Sequence, residues 1–177
     1  MAEKKMPKGE KDTIIAKVSA LDDYKLRITF THGSILVLDM KSRLGTIRYY
    51  PLNDTEILHS AYTDGTKIIF DTKPKYELDI FPQEAMEMAL TPSHDGKIIL
   101  RAETLGKHKV YIDFDSGSSM ELDMKNHFED VNYSILKDRE LFHSMSTDGE
   151  NLIFGEDLKI NIRELVFPMV GNWKENK

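Results

Sequence analysis

The sequence predicts an α+β fold made of two tandem copies of one small β-rich unit in a pseudo-two-fold arrangement. Three observations lead there: an internal repeat at a constant offset of 84 residues, short runs of alternating apolar residues, and only short helix-forming stretches. At this offset Gly33 meets Gly117, and "LDDYKLRITFTHGSILVLDMK" lies over "LGKHKVYIDFDSGSSMELDMK". Further on, "LNDTEILHSAYTDGTKIIF" lies over "LKDRELFHSMSTDGENLIF". One register holds without a gap from Ile14/Ile98 to Phe70/Phe154, with roughly two in five positions identical. Beyond Phe70 the second copy is shorter, though "YELDIFPQEAMEMAL" keeps the pattern of "LKINIRELVFPMV".

These limits divide the chain as follows. Residues 1–12 form a polar, flexible tail, 13–90 the first copy, 91–96 a turn-rich linker, 97–170 the second copy and 171–177 a closing tail. Copies of this size have modest cores. Two would gain by packing open sheet edges or apolar faces together, like a homodimer fused into one chain. A monomer with this internal symmetry and a homodimer are both compatible with the sequence.

Within the first copy, Ile14, Ala16 and Val18 alternate with more polar neighbours, a strand pattern. Leu26, Ile28 and Phe30 repeat it, as does the run from Ile35 to Leu38. THGS joins the last two as a hairpin with Gly33 at a position of positive φ, and DDY before it is a second turn. Asp39 caps a short helical turn, MKSRL, and Asp54 caps TEILHS with Ile57 and Leu58 inward. A Thr-Asp-Gly turn feeds the strand ending at Phe70, and Tyr76, Leu78 and Ile80 make another. Pro82 opens the helix QEAMEMAL. In the second copy, strands fall near 98–104, 109–114, 119–123, 151–155 and 158–162, and a last helix over Arg163–Val166 is stopped by Pro168.

With 40% hydrophobic and 31% charged residues, the chain has the composition of a globular protein. No apolar run approaches the ~18–20 residues that cross a bilayer, and the start of the chain lacks the apolar stretch of a secretory signal. Cysteine is absent, which excludes disulfides and thiolate chemistry and agrees with the expected cytoplasmic setting. A net charge of −6 without a basic patch disfavours nucleic acid as a ligand.

The pattern from Val18 through "LDDYKLRITF", the "LDM" closing the hairpin, "LNDTEIL" and "DGTKIIF" resembles the bacterial DUF2442 family. The second copy keeps Leu105, Phe114, Gly117, Leu122 and Asp123 but has Gly106-Lys107-His108 in place of Asp22-Asp23-Tyr24. In the first copy Phe70 replaces the family's tryptophan. The resemblance implies a small bacterial protein, in some members a proposed antitoxin encoded beside a toxin-like partner. The helix-turn-helix of other members has no counterpart here.

His59-Ser60 with Asp64, and His143-Ser144 with Asp148, are the one hydrolase-like combination. Adjacent helical residues do not face each other, and no G-x-S-x-G elbow accompanies them, so capping and turn roles are expected. "DFDSGSSMELD" lacks the order of a calcium loop, and the six histidines lack zinc spacing. No cofactor is expected. The candidate interface is Arg48, Tyr49 and Tyr50, two aromatics beside an arginine, together with Trp173, the single tryptophan; the alternative is a loop folded over the core with Tyr49 and Tyr133 inward, and a tail docked on the other copy. The leading expectation is a non-enzymatic module that binds another protein. The alternatives are a small enzyme using the paired His and Asp, or a structural subunit of a larger assembly.

Overall fold

The computed structural model describes residues 13–72, 77–94 and 96–171. The chain is α+β, and among the described residues every strand pairing is antiparallel. Strands β1 (Ile15–Leu21), β2 (Lys25–Phe30) and β3 (Ile35–Asp39) form the predicted meander. Helix α1 (Thr55–His59) follows, then β4 (Tyr62–Thr63), β5 (Ile68–Phe70), β6 (Leu78–Ile80) and α2 (Pro82–Leu90). After residue 98 the order recurs: β7 (Ile99–Leu105), β8 (Lys109–Phe114), β9 (Ser119–Asp123), α3 (Arg139–His143), β10 (Ser146–Thr147), β11 (Asn151–Phe154), β12 (Leu158–Asn161) and α4 (Ile162–Val166).

Alternation along the strands decides what is buried. Leu26, Ile28, Phe30, Leu36 and Leu38 turn inward, as do Val110, Ile112, Phe114, Met120 and Leu122. The opposite face is more polar: Lys109 pairs with Glu121 at 2.7 Å, and the Tyr111 hydroxyl donates to Asp113 at 2.8 Å. The inward residues of both halves belong to one continuous core.

The two meanders join in a single six-stranded sheet, ordered β1-β2-β3-β9-β8-β7. At its centre Leu36 faces Met120, flanked by Ile35 opposite Glu121 and Val37 opposite Ser119. Two buried serines tie this seam: Ser118 Oγ accepts from Asp39 N at 3.0 Å, and Ser34 Oγ accepts from Asp123 N at 2.9 Å. Each edge strand carries a bulge, between Ile15 and Lys17 and between Ile99 and Arg101. Gly65 O accepts from Ile14 N and Ile15 N, and Gly149 O from Ile98 N and Ile99 N. The halves meet again at their helices, where Gln83 Nε2 donates to Val170 O at 2.6 Å and Arg163 bonds Glu87 at 3.1 Å.

Caps explain why the helices begin where they do. Asp54 accepts from Glu56 N and Asp138 from Leu141 N, both at 2.9 Å. Asp39 and Asp123 likewise hold Lys41 N and Lys125 N above short 3₁₀ turns. Three details depart from the sequence reading. Pro168 does not stop the chain's winding: it sits in the first turn of a further 3₁₀ helix, Phe167–Val170, where a missing N–H costs no intrahelical bond. Ile57 is only partly buried, while Leu58 is fully inward. The two-residue strands β4 and β10 had no counterpart in the pattern. Tyr76 lies outside the described residues.

The β1–β2 and β7–β8 turns both place side-chain-bearing residues in the left-handed region, Asp23 and Tyr24 in one, Lys107 and His108 in the other. Such backbone costs roughly 1–2 kcal/mol per residue without glycine. Gly106 stands beside these positions and does not relieve them.

Candidate functional site

The segment after β3 carries three of the predicted interface residues, and the fold separates them. Arg48 points back onto the chain, with Nη1 on Glu84 Oε1 at 2.5 Å and Nη2 on Asp79 O at 2.9 Å. Tyr49 is 6% exposed and its hydroxyl donates to the same Glu84 Oε1 at 2.7 Å. Burial and the neighbouring Glu84 carboxylate push its phenol well above the ordinary tyrosine range. Arg48 and Tyr49 therefore clamp the loop to the start of α2. Tyr50 is 67% exposed. Trp173 lies outside the described residues.

The clamp leaves Ile47 98% exposed beside Tyr50, and the counterpart of Ile47 in the second half, Val131, is 86% exposed. Ile135 adds a further 58% exposed aliphatic on that second loop. Single exposed apolar residues are ordinary, but a β-branched side chain held outward at the same point of two matched loops is a feature in itself. The sequence reading passed over Ile47 and Val131. The signal was their agreement at the offset of 84, aliphatic in both halves where the immediately adjacent positions differ. Beside the first loop, Arg48, Phe81, Gln83, Glu84 and Glu87 line a cleft of about 560 Å³.

The His-Ser-Asp sets do not assemble. His59 Nδ1 donates to Thr55 O at 2.7 Å, Ser60 Oγ donates to Ile57 O at 2.6 Å, and Asp64 accepts from Thr66 and Lys67. In the second half Ser144 Oγ donates to Leu141 O at 2.6 Å, and Asp148 pairs with Lys159 at 2.7 Å. Bonds from Thr66 hold the Asp64 carboxyl below its ordinary range, and Lys159 and Asn151 do the same for Asp148. Within "DFDSGSSMELD", Asp115 accepts from the backbone N–H groups of Ser93 and His94, which lowers its pKa and pins the connection between the halves. Among the described residues no three His, Asp or Glu side chains are placed to share a metal ion. Nor is any described helix long and apolar enough to cross a membrane.

Two histidines sit between the halves. His32 stacks on Phe30 at 5.3 Å, and its carbonyl accepts from Asn126 Nδ2 at 2.6 Å. His127 meets Tyr133 edge-on at 5.9 Å. The Nε2 atoms of both rings are buried without a hydrogen-bond partner. Burial lowers the pKa of each, with the charge of His127 also acting on His32 and Asp123 partly opposing. The unfolded chain, with imidazoles near 6.5, thus binds protons that the folded chain refuses. Stability should fall as pH drops below about 6.5, in a window separate from the loss of the low-pKa carboxylates below about 4. Urea midpoints between pH 7.5 and 5 measure this, and H32Q/H127Q should flatten the slope. An unchanged slope in that variant would assign the effect elsewhere.

Comparison with family models, with curated proteins and with solved structures gives no match.

Proposed function

We propose that the chain is a duplicated, DUF2442-like pair of units fused about a pseudo-two-fold axis through Leu36 and Met120, and that it serves as a non-enzymatic module binding another protein. The observation that carries the reading is the matched exposure of Ile47 and Val131 at the same point of two matched loops, the first of them clamped to Glu84 through Arg48 and Tyr49. Rigid loops lose little freedom on binding, and an apolar knob at a loop tip is suited to fill a partner's pocket. The two loops leave the central strands at opposite ends of the seam, so a partner with repeated or two-fold surfaces fits them best. The net charge of −6 favours a basic partner, as a toxin-like or effector protein would be.

The test is the I47D/V131D double variant. Both side chains are exposed, so its unfolding free energy should match the wild type within the usual scatter of surface substitutions, about 0.5 kcal/mol. A stoichiometric complex recovered from the native host with the wild type should be lost with the variant. If the complex survives both substitutions, the loops are not the interface. Concentration-dependent light scattering of the isolated chain, abolished by I47D/V131D, would make the partner a second copy and favour an assembly subunit.

A further inference from the structure

A cavity of about 340 Å³ lies between the β7–β8 turn and α3, lined by Gly106, Lys107, His108, Arg139, Phe142 and His143. We propose that it binds a small oxyanion, a phosphate or carboxylate group, and that the second half alone has this site. The site lies apart from the loops carrying Ile47 and Val131 and stands whether or not they bind a partner.

The first support is charge. The lining offers two permanent cations and two imidazoles, with no carboxylate among the described residues, in a chain with a net charge of −6. Neither Lys107 nor Arg139 has an acidic side chain at ion-pair distance among the described residues, whereas Arg48, Arg101, Arg163, Lys67 and Lys109 all do. A lysine and an arginine facing one cavity without acidic partners among the described residues provide charge-assisted donors for an oxyanion, and the planar guanidinium gives them direction.

The second support comes from within the chain. At the corresponding positions of the first half stand Asp22, Asp23, Tyr24, Thr55, Leu58 and His59. Asp23 there is neutralised by Lys41 at 2.5 Å. Two acids and a threonine are thus replaced by Gly106, Lys107 and Arg139 on the same turn and the same helix start. The left-handed backbone at Asp23 and Tyr24 is kept at Lys107 and His108, so the turn holds its shape while its charge reverses.

The third support is geometry. His108 is wedged edge-on between Phe128 at 5.0 Å and Phe142 at 5.2 Å, with Nε2 buried and unpartnered. The His143 Nδ1 and Thr104 Oγ1 atoms lie 2.9 Å apart, which fixes that ring. In the first half His59 bonds its own helix instead, so only His143 is tied to the neighbouring strand.

The experiment follows the imidazole proton resonances of His108 and His143 by NMR at pH 7 and constant ionic strength. Sodium phosphate and sodium acetate are titrated separately, against chloride. Saturable shifts of these two histidines with phosphate or acetate, absent with chloride and absent at His59, support the site, and the stronger titrant names the group. The K107D/R139T variant should weaken that response at least about tenfold, from the loss of two charge-assisted bonds. It installs the residues that the first half carries on the same backbone, and R139T alone serves if the double variant folds poorly. Linear shifts that chloride reproduces, or a saturable response unaffected by either variant, would overturn the proposal.

Discussion

Phe114→Ala should destabilise the whole chain by about 3–5 kcal/mol, the usual cost of emptying a buried phenylalanine site. Phe114 ends β8 fully inward, and the strands on either side hold its surroundings too firmly to collapse around the void. Domains of this size are stable by about 5–15 kcal/mol, so the loss removes a large share. The more telling outcome is where the damage is felt. Because the inward residues of both halves form one core across the β3–β9 seam, amide signals of β2 should disappear at the same lowered urea concentration as those of β11. First-half signals that kept their wild-type midpoint would mean two independent folding units, each burying its own face.

The second large effect is expected at the seam. In S34A/S118A the backbone N–H groups of Asp39 and Asp123 lose their acceptors in a part-buried setting. A buried donor left unsatisfied costs about 1–3 kcal/mol, and the two sites should act together because they brace one strand pair. Replacing serine by alanine removes no apolar contact, so the loss isolates the hydrogen bonds. Urea midpoints of the two single variants and the double variant give the coupling. A double variant as stable as the wild type would show that water replaces the hydroxyls.

Much of the architecture was legible in the sequence because period-2 alternation, turn glycines and capping aspartates report local physics. The meander, the positive φ of Gly33, the caps at Asp39 and Asp54 and the proline at the start of α2 all follow from residues a few positions apart. Strands β4 and β10 were not legible, since two residues cannot display a period. The left-handed pair Lys107 and His108 was hidden because both carry side chains, while the adjacent Gly106, which could adopt positive φ at no cost, does not.

The site was harder to read for a related reason. Arg48 and Tyr49 form a plausible anchor until Glu84, 36 and 35 residues away, draws both back onto the fold. No spacing rule announces a contact of that range. Ile47 was overlooked because it belongs to no amphipathic pattern, and an outward aliphatic residue carries meaning only once its neighbours are known to be held in place.

The bulges in β1 and β7 have a consequence for how molecules meet one another. A regular outer strand offers a row of free amides and carbonyls on which a neighbouring molecule can polymerise. Here an irregular pairing interrupts each flank near its start, Lys17 and Arg101 place cations there, and the carbonyls of Gly65 and Gly149 already occupy the first amides. The inner flanks, which would otherwise invite the same growth, are spent on each other. Extension of the six-stranded sheet strand by strand is thereby hindered at both of its flanks.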